Sequence, residues 1–350
     1  MKARYLRLYE RLRKAILAGD YIPGTRLPSK RALADETGTS VITVEHAYAL
    51  LCDEGYVKAR ERSGFFVAQR ENDRETPLPS RRQKPPRRNN HRVDTAFPFS
   101  VAAKKIRAVI SRYGERMLIK SPNNGTAELR EAIASYLARA RDLHVRPSQI
   151  IVGSGAEYLY GLLAQFFTDE SIAIERPSYA KIQQVYEAHG VSCEGLALGT
   201  HGILSEELHH ARSRILHVTP YRSFPTDVTA DSSKRREYVQ WAQTESRILI
   251  EDDFDSEFSS ARRGAETLFA IDGGRHVIYL NTFSKTLSPA MRIGYLVLPT
   301  RILTDFTAKV GFYSCTVPVL DQLFLADFIN DGDFERHLNR CRRRLQNSQQ

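Results

Sequence analysis

Five short apolar runs constrain the fold more than anything else in the chain: Gln149-Ile150-Ile151-Val152, Ile172-Ala173-Ile174, Ile215-Leu216-His217-Val218, Arg247-Ile248-Leu249-Ile250 and Val277-Ile278-Tyr279-Leu280. Each is separated from the next by a helical pattern. Short continuous apolar runs read as strands buried on both faces, and strands that alternate with helices pair in parallel. The expected fold class for residues 92–350 is therefore α/β, with helices around a mainly parallel sheet. At 350 residues, 42% hydrophobic and 26% charged, the chain can bury at least two cores and has the composition of a soluble globular protein.

The N-terminal region has a different pattern. Tyr5, Leu8, Leu12 and Ile16 recur at helical spacing before Gly19, and Tyr21-Ile22-Pro23-Gly24 makes a turn. Ser29 caps a short helix reaching about Glu36, and Gly38-Thr39-Ser40 breaks it. A second helix then places Val44, Ala47, Tyr48 and Leu51 on one face and stops at Gly55. Two short helices across a tight turn suggest helix-turn-helix. The segment from Tyr56 to Val67, with Ser63-Gly64 at its turn, reads as a hairpin or wing.

Residues 69–91 hold seven basic residues, four prolines and one aliphatic residue, Leu78. Such a stretch cannot build a core and is expected to be a flexible basic linker. Charge is unevenly placed: residues 1–91 carry 19 Lys+Arg against 11 Asp+Glu, and the remainder 32 against 30. A basic N-terminal portion suits a polyphosphate partner, because each neutralised phosphate releases a counterion. Cys52, Cys193, Cys315 and Cys341 lie far apart, so neither a disulfide framework nor a metal site is expected. No apolar run approaches the ~18 residues of a membrane span. These features fit a cytoplasmic protein.

The chemistry concentrates in Thr282-Phe283-Ser284-Lys285-Thr286-Leu287-Ser288-Pro289-Ala290-Met291-Arg292-Ile293-Gly294-Tyr295, a strand-loop-strand joining a hydroxyl-flanked lysine to a downstream arginine. Such a lysine can form a Schiff base, and the arginine and hydroxyls can hold a phosphate. Upstream, Ile248-Leu249-Ile250-Glu251-Asp252-Asp253 reads as a buried strand ending in carboxylates, where a pyridinium nitrogen could be met. Together these point to pyridoxal 5'-phosphate. Taken alone, each residue has a plainer reading: the acidic run as a solvated strand end, Lys285 as a surface lysine, Tyr179 as a core aromatic.

The run Pro23-Gly24-Thr25-Arg26-Leu27-Pro28-Ser29-Lys30-Arg31, continued by Thr43-Val44, Ala47-Tyr48 and Glu54-Gly55-Tyr56, resembles the winged helix-turn-helix of GntR-type bacterial regulators. Residues 92–350 resemble a fold-type I aminotransferase domain. The two together are similar to the MocR subfamily, transcription regulators with an aminotransferase-like effector domain. The resemblance implies a DNA-binding domain over residues 1–68 and a pyridoxal-phosphate-binding effector domain over 92–350. Lys285 would carry the cofactor, Asp252 would pair with its pyridine nitrogen, and Tyr179 would stack on its ring. Ser154, Gly155 and Ala156, at a helix N-terminus, would cradle the phosphate with Thr282, Ser284 and Arg292. Thr219-Pro220-Tyr221-Arg222-Ser223-Phe224-Pro225-Thr226 matches the loop on the opposite side. In the DNA module Arg31 matches a phosphate-contact position. Ser40 opens the recognition helix, where Thr43, Glu45 and His46 are candidates for groove contacts, and Arg60 and Arg62 flank the wing turn.

The sequence also departs from that pattern. Val41 and Glu45 stand where many GntR-type proteins have arginine, Phe254 where relatives commonly have a tyrosine, Asp227 in place of a glycine and Glu157 in place of a glutamine. The resemblance further implies a small subdomain that is incomplete here, as in a C-terminally truncated chain. The function expected is a homodimeric transcription regulator that binds double-stranded promoter DNA and responds to pyridoxal phosphate or its adduct with a small amino compound. Two alternatives stay open: an aminotransferase with a regulatory DNA-binding domain, and a DNA-binding protein with a vestigial sensor domain.

Overall fold

The computed structural model describes residues 4–60, 63–68, 97–254, 256–258 and 266–347, in two compact units, Met1–Asn89 and Asn90–Gln350. The linker expected over 69–91 lies outside the described residues.

The first unit orders α1 (Arg4–Ala18), α2 (Lys30–Thr37), α3 (Val41–Asp53), β1 (Val57–Arg60) and β2 (Gly64–Val67). Its core is the apolar face read from the sequence: Leu8 and Leu12 of α1, Leu33 of α2, and Val44, Ala47, Tyr48 and Leu51 of α3 are all buried. Tyr9 joins them, whereas Tyr5 and Ile16 are only half-buried. Helix boundaries follow local chemistry. Ser29 Oγ accepts from Ala32 N and Ser40 Oγ accepts from Thr43 N, each capping a helix, while Gly38 ends α2 at φ +61°, where a side chain would be strained. β1 and β2 pair antiparallel, Val57 opposite Val67 and Arg60 opposite Gly64.

The second unit is a three-layer α/β sandwich. Its strands are β3 (Ile150–Gly153), β4 (Ile172–Arg176), β5 (Cys193–Gly199), β6 (Gly202–Ile203), β7 (Ile215–Val218), β8 (Ile248–Asp252), β9 (Val277–Thr282) and β10 (Gly294–Val297), in sheet order β3-β10-β9-β8-β7-β4-β5-β6. The central pairings β5-β4-β7-β8-β9 are parallel, and β10 runs antiparallel between β9 and β3. Helices are α4 (Phe99–Tyr113), α5 (Ala127–Arg141), α6 (Ala156–Phe166), α7 (Ala180–Ala188), α8 (Ser205–His209), α9 (Ser232–Gln243), α10 (Leu268–Asp272), α11 (Thr300–Val310), α12 (Val319–Asn330) and α13 (Asp333–Asn347). One face of the sheet packs on α5, α9 and α12, the other on α6, α7 and α11.

Because strand side chains alternate, β8 sends Leu249 into the first core and Ile248 and Ile250 into the second. Extending the alternation puts Glu251 and Asp253 on the α5 side and Asp252 on the α6 side. The reading of this run as a solvated strand end does not hold: Glu251, Asp252, Asp253 and Glu257 are all at most 3% exposed. Distant residues make that burial possible. Arg141 from α5 pairs with Asp253 at 3.0 Å and lies 3.9 Å from Glu257, Tyr279 donates to Asp253 at 2.7 Å, and Asn281 donates to Glu257 at 2.9 Å. Glu251 accepts from Leu268 N and Phe269 N at the start of α10 and from the Tyr221 hydroxyl.

Burial raises the Glu251 carboxyl to about 7 despite those donors, and burial together with the Asp253 carboxylate raises that of Glu257. Between the ordinary carboxylate range and about pH 7 the folded chain therefore holds protons that the unfolded chain has released. The stability these two groups permit is full in acid and declines as pH rises through that window. Urea midpoints measured across about pH 5 to 7 should fall less steeply for Glu257→Gln than for the wild type; an unchanged slope would mean that Glu257 does not titrate there.

Candidate functional site

In parallel α/β sheets, side chains at the carboxyl ends of the strands are free to line a crevice. Here that end holds a cavity of about 430 Å³. It is lined by Asp252 from β8, Thr282 from β9, Ala156 from α6, Tyr179 before α7, and Lys285 from the loop after β9. Five of the residues expected at a cofactor site thus come together, from sequence positions up to 129 apart.

Asp252 is 2% exposed, and its environment is specific. Its Oδ2 accepts from the Tyr160 hydroxyl, and His217 Nε2 lies 3.5 Å from the same oxygen, an electrostatic neighbour more than a hydrogen bond. His217 Nδ1 is 2.8 Å from the Tyr186 hydroxyl. Burial, then the Asp252 charge, pushes the phenols of Tyr160 and Tyr186 well up, so Tyr160 stays protonated and donates. Asp252 Oδ1 is buried with no hydrogen-bond partner among the described residues. An unmet polar atom costs about 1–3 kcal/mol in an interior, so this oxygen calls for a donor. The sequence reading found Asp252 but missed Tyr160 and His217, whose helix and strand patterns look like ordinary core.

Lys285 is exposed to the cavity, in a loop tightly fixed at its base. Phe283 and Leu287 are buried on either side of it, Phe283 N donates to Ile293 O at 2.8 Å, and the ring of His337 lies 2.8 Å from Thr286 O. Lys285 Nζ stands 4.9 Å from the centre of the Phe254 ring. Phe254 places an apolar ring, without a hydroxyl, beside the amine.

The expected phosphate cup divides in two. Gly155 precedes α6 at φ +92°, and a Cβ there would lie 3.0 Å from Arg292 Cζ, so only glycine lets the guanidinium settle over the helix N-terminus. Ser154 Oγ is hydrogen-bonded to Thr316 Oγ1 at 2.9 Å, and Ser284 Oγ donates to Met291 O at 3.4 Å; neither lines the cavity. Arg292 binds Glu157 at 2.9 Å, and Lys181 binds the same carboxylate. The Lys181 hydrogen bond holds the Glu157 carboxyl below its usual range, so an anion already sits on Arg292.

The cavity's other rim is the loop 219–227. Buried Glu175 accepts from Thr219 Oγ1 and from Ser223 Oγ at 2.7 Å, fixing the loop to the end of β4. Phe224 meets Tyr179 edge to face with ring centres 6.1 Å apart. Asp227 has φ +57°, a left-handed conformation that glycine adopts freely and aspartate tolerates. Its Oδ1 accepts from Arg222 Nε at 2.7 Å.

In the first unit, Arg31, Glu45, His46 and Arg60 are exposed and Thr43 is half-buried. Ser40 is spent as the cap of α3, bonding both Thr43 N and Thr43 Oγ1. Glu45 is engaged by Lys30 across α2 and α3, and this bond lowers its pKa. His46 packs edge to face on Tyr5. Arg60 lies 4.6 Å from the centre of the Phe66 ring, and Arg62 lies outside the described residues. The sequence reading missed Arg26, whose Nε would be 3.1 Å from a Cβ at Gly64, which puts a second guanidinium on the wing.

Comparison with known proteins gives two family matches: bacterial regulatory proteins of the gntR family over residues 4–67, and aminotransferase class I and II over residues 88–350. The HTH-type regulator YdeL of Bacillus subtilis is 32% identical over 97% of this chain and 76% of its own length. The probable rhizopine catabolism regulatory protein MocR of Rhizobium meliloti is 31% identical over 96% of this chain and 73% of its own. Among solved structures, the α-aminoadipate aminotransferase LysN of Thermus thermophilus, complexed with N-(5'-phosphopyridoxyl)-L-leucine, aligns with a TM-score of 0.61 at 29% identity. That alignment covers 71% of this chain and 64% of LysN, so the chain spans less than two thirds of that enzyme. Among the described residues no helix is long and apolar enough to cross a membrane.

If Glu157 competes for Arg292, Glu157→Gln should bind a phosphate monoester such as pyridoxal phosphate about threefold more tightly, the scale of one half-exposed ion pair. Equilibrium dialysis at neutral pH measures this, and weaker binding would show that Glu157 positions Arg292 instead of competing for it.

Proposed function

Because this chain belongs to the MocR-type GntR regulators, DNA-binding transcription regulators with an aminotransferase-like domain, we propose that it senses pyridoxal 5'-phosphate, or an adduct of it with an amino compound, through the cavity at Lys285. The observation that carries the reading is Asp252 Oδ1, buried without a partner among the described residues, in a cavity that also presents a lysine amine. Asp252 Oδ1 would accept from a protonated ring nitrogen, and its carboxylate would keep that nitrogen protonated.

The other residues fit the same group. Tyr160 holds Asp252 in place from the second turn of α6, and Tyr179 offers a ring as one wall. Arg292 and the amides around Gly155 would receive the phosphate at the α6 N-terminus, with Thr282 beside them. Ser154 and Ser284, bonded elsewhere, would contribute only by changing rotamer. When bound, pyridoxal phosphate supplies an electrophilic aldehyde carbon for amines and a ring that withdraws electrons. Phe254 offers no hydroxyl hydrogen bond beside Lys285, which favours holding the ligand over turning it over, and so a sensor over an aminotransferase.

DNA is read through residues 1–68, joined by 69–91 to the effector domain over 92–350. Arg31 and Arg60 would touch phosphate, Arg62 with them, and the exposed face of α3 carrying Thr43, Glu45 and His46 would enter the major groove. Ser40 acts there indirectly, by fixing the start of α3. The assembly is a homodimer on two half-sites of promoter DNA in the cytoplasm. Ligand binding changes DNA affinity to the extent that its own affinity differs between the two states of the protein.

Two measurements check this reading. Purified protein titrated with pyridoxal phosphate should develop a visible absorbance band that Lys285→Ala lacks; a wild type without the band removes the sensor function. Arg31→Ala should weaken binding uniformly across DNA sequences and reduce the salt slope of log K by about one. An unchanged slope would take Arg31 off the backbone.

A further inference from the structure

We propose that Arg222 is the receptor for the carboxylate of an amino-acid effector, and that Asp227 is a built-in competitor that occupies it until the effector arrives. The inference rests on the cofactor reading above and names the class of amino compound it would act with: a monocarboxylic amino acid.

Among the described residues lining the cavity, the cations are Arg222 and Lys285. Lys285 is committed to the carbonyl chemistry of the cofactor, and Arg292 and Lys181 are gathered with Glu157 at the α6 N-terminus, where a phosphate would bind. Arg222, at the opposite rim, is among the described residues the group whose chemistry matches a carboxylate. A guanidinium presents parallel N–H donors that take a carboxylate two bonds at a time. Asp227 now occupies its Nε edge at 2.7 Å, so a carboxylate demonstrably fits there.

The pair is built to be displaced. Its side chains are 53% and 65% exposed, and ion pairs in such surroundings are weak. Asp227 sits at φ +57°, a left-handed backbone state that aspartate tolerates. The loop beneath is held by buried Glu175 through Thr219 and Ser223, so exchanging one carboxylate for another on Arg222 does not require the loop to move. The same arrangement sets selectivity. Phe224, Tyr179 and Ile182 offer apolar surface for the effector's side chain, and Asp227, once released, repels a second carboxylate.

The test compares two stable probes on the full-length protein by calorimetry: N-(5'-phosphopyridoxyl)-L-leucine and its carboxylate-free counterpart, N-(5'-phosphopyridoxyl)-3-methylbutylamine. The wild type should bind the leucine adduct about tenfold more tightly, Arg222→Gln should bring that ratio toward one, and Asp227→Asn, which keeps tolerance of the left-handed backbone, should widen it. A wild-type ratio of one, or a ratio that survives Arg222→Gln, overturns the assignment while leaving the cofactor reading standing. Should neither adduct bind the wild type, the cofactor reading fails and this inference fails with it. If Arg222→Gln does not fold, the Asp227→Asn ratio decides, and a ratio no larger than the wild type's counts against Arg222.

Discussion

The structure depends on burying four carboxyl groups at one end of one strand and its following turn. Glu251, Asp252, Asp253 and Glu257 lie at the C-terminal end of β8, in an interior where an unpaired charge costs far more than a hydrophobic contact returns. Strand alternation solves half of the problem by sending Asp252 to one face and its neighbours to the other. On the α5 side Arg141, Tyr279, Asn281 and the N-terminus of α10 supply charge and donors. On the α6 side Asp252 keeps one oxygen satisfied by Tyr160 and one without a partner among the described residues. The first face holds the strand end by charge and hydrogen bonds, and the second leaves one carboxylate oxygen without a partner among the described residues.

The cavity is organised from that point outward. α6 is tied to Asp252 by Tyr160 and presents its N-terminus, under Arg292, five residues earlier. The β9–β10 connection carries Lys285 between two buried residues, so the amine stands on a fixed base. Glu175 anchors the facing loop and with it the Arg222–Asp227 pair. Two internal carboxylates rest on arginines, Asp227 on Arg222 in the cavity wall and Glu157 on Arg292 at the α6 N-terminus. Glu157 is partly buried and Asp227 exposed, and both stand at positions where the family resemblance leads one to expect other residues.

Much of this was legible in the sequence because it is local. The central strands announce themselves as apolar runs, and the starts of α2 at Lys30 and α3 at Val41 follow from Ser29 and Ser40. What stayed hidden depends on partners distant along the chain. The plainer reading of the acidic run, a solvated strand end, gives way only when Arg141, more than a hundred residues upstream, is seen beside it. Tyr160 and His217 look like core because they are core, with one polar atom turned to Asp252. Strand β5 was not anticipated, since most of its residues are only half-buried and its sequence, Cys-Glu-Gly-Leu-Ala-Leu-Gly, has no strong strand formers. Ser154 and Ser284 match a motif, yet their hydroxyls bond elsewhere, which spacing cannot foresee.

The central claim is that a ligand held at Lys285 alters DNA binding by the N-terminal module. Fluorescence anisotropy of the 350-residue chain on a double-stranded fragment selected in vitro for tight binding tests it directly, with and without saturating pyridoxal phosphate, for the wild type and Lys285→Ala. The account predicts that the wild-type Kd changes at least about fivefold, the lower scale of an allosteric coupling, and that the variant's does not. A wild-type Kd indifferent to pyridoxal phosphate, or an equal change in the variant, would contradict it.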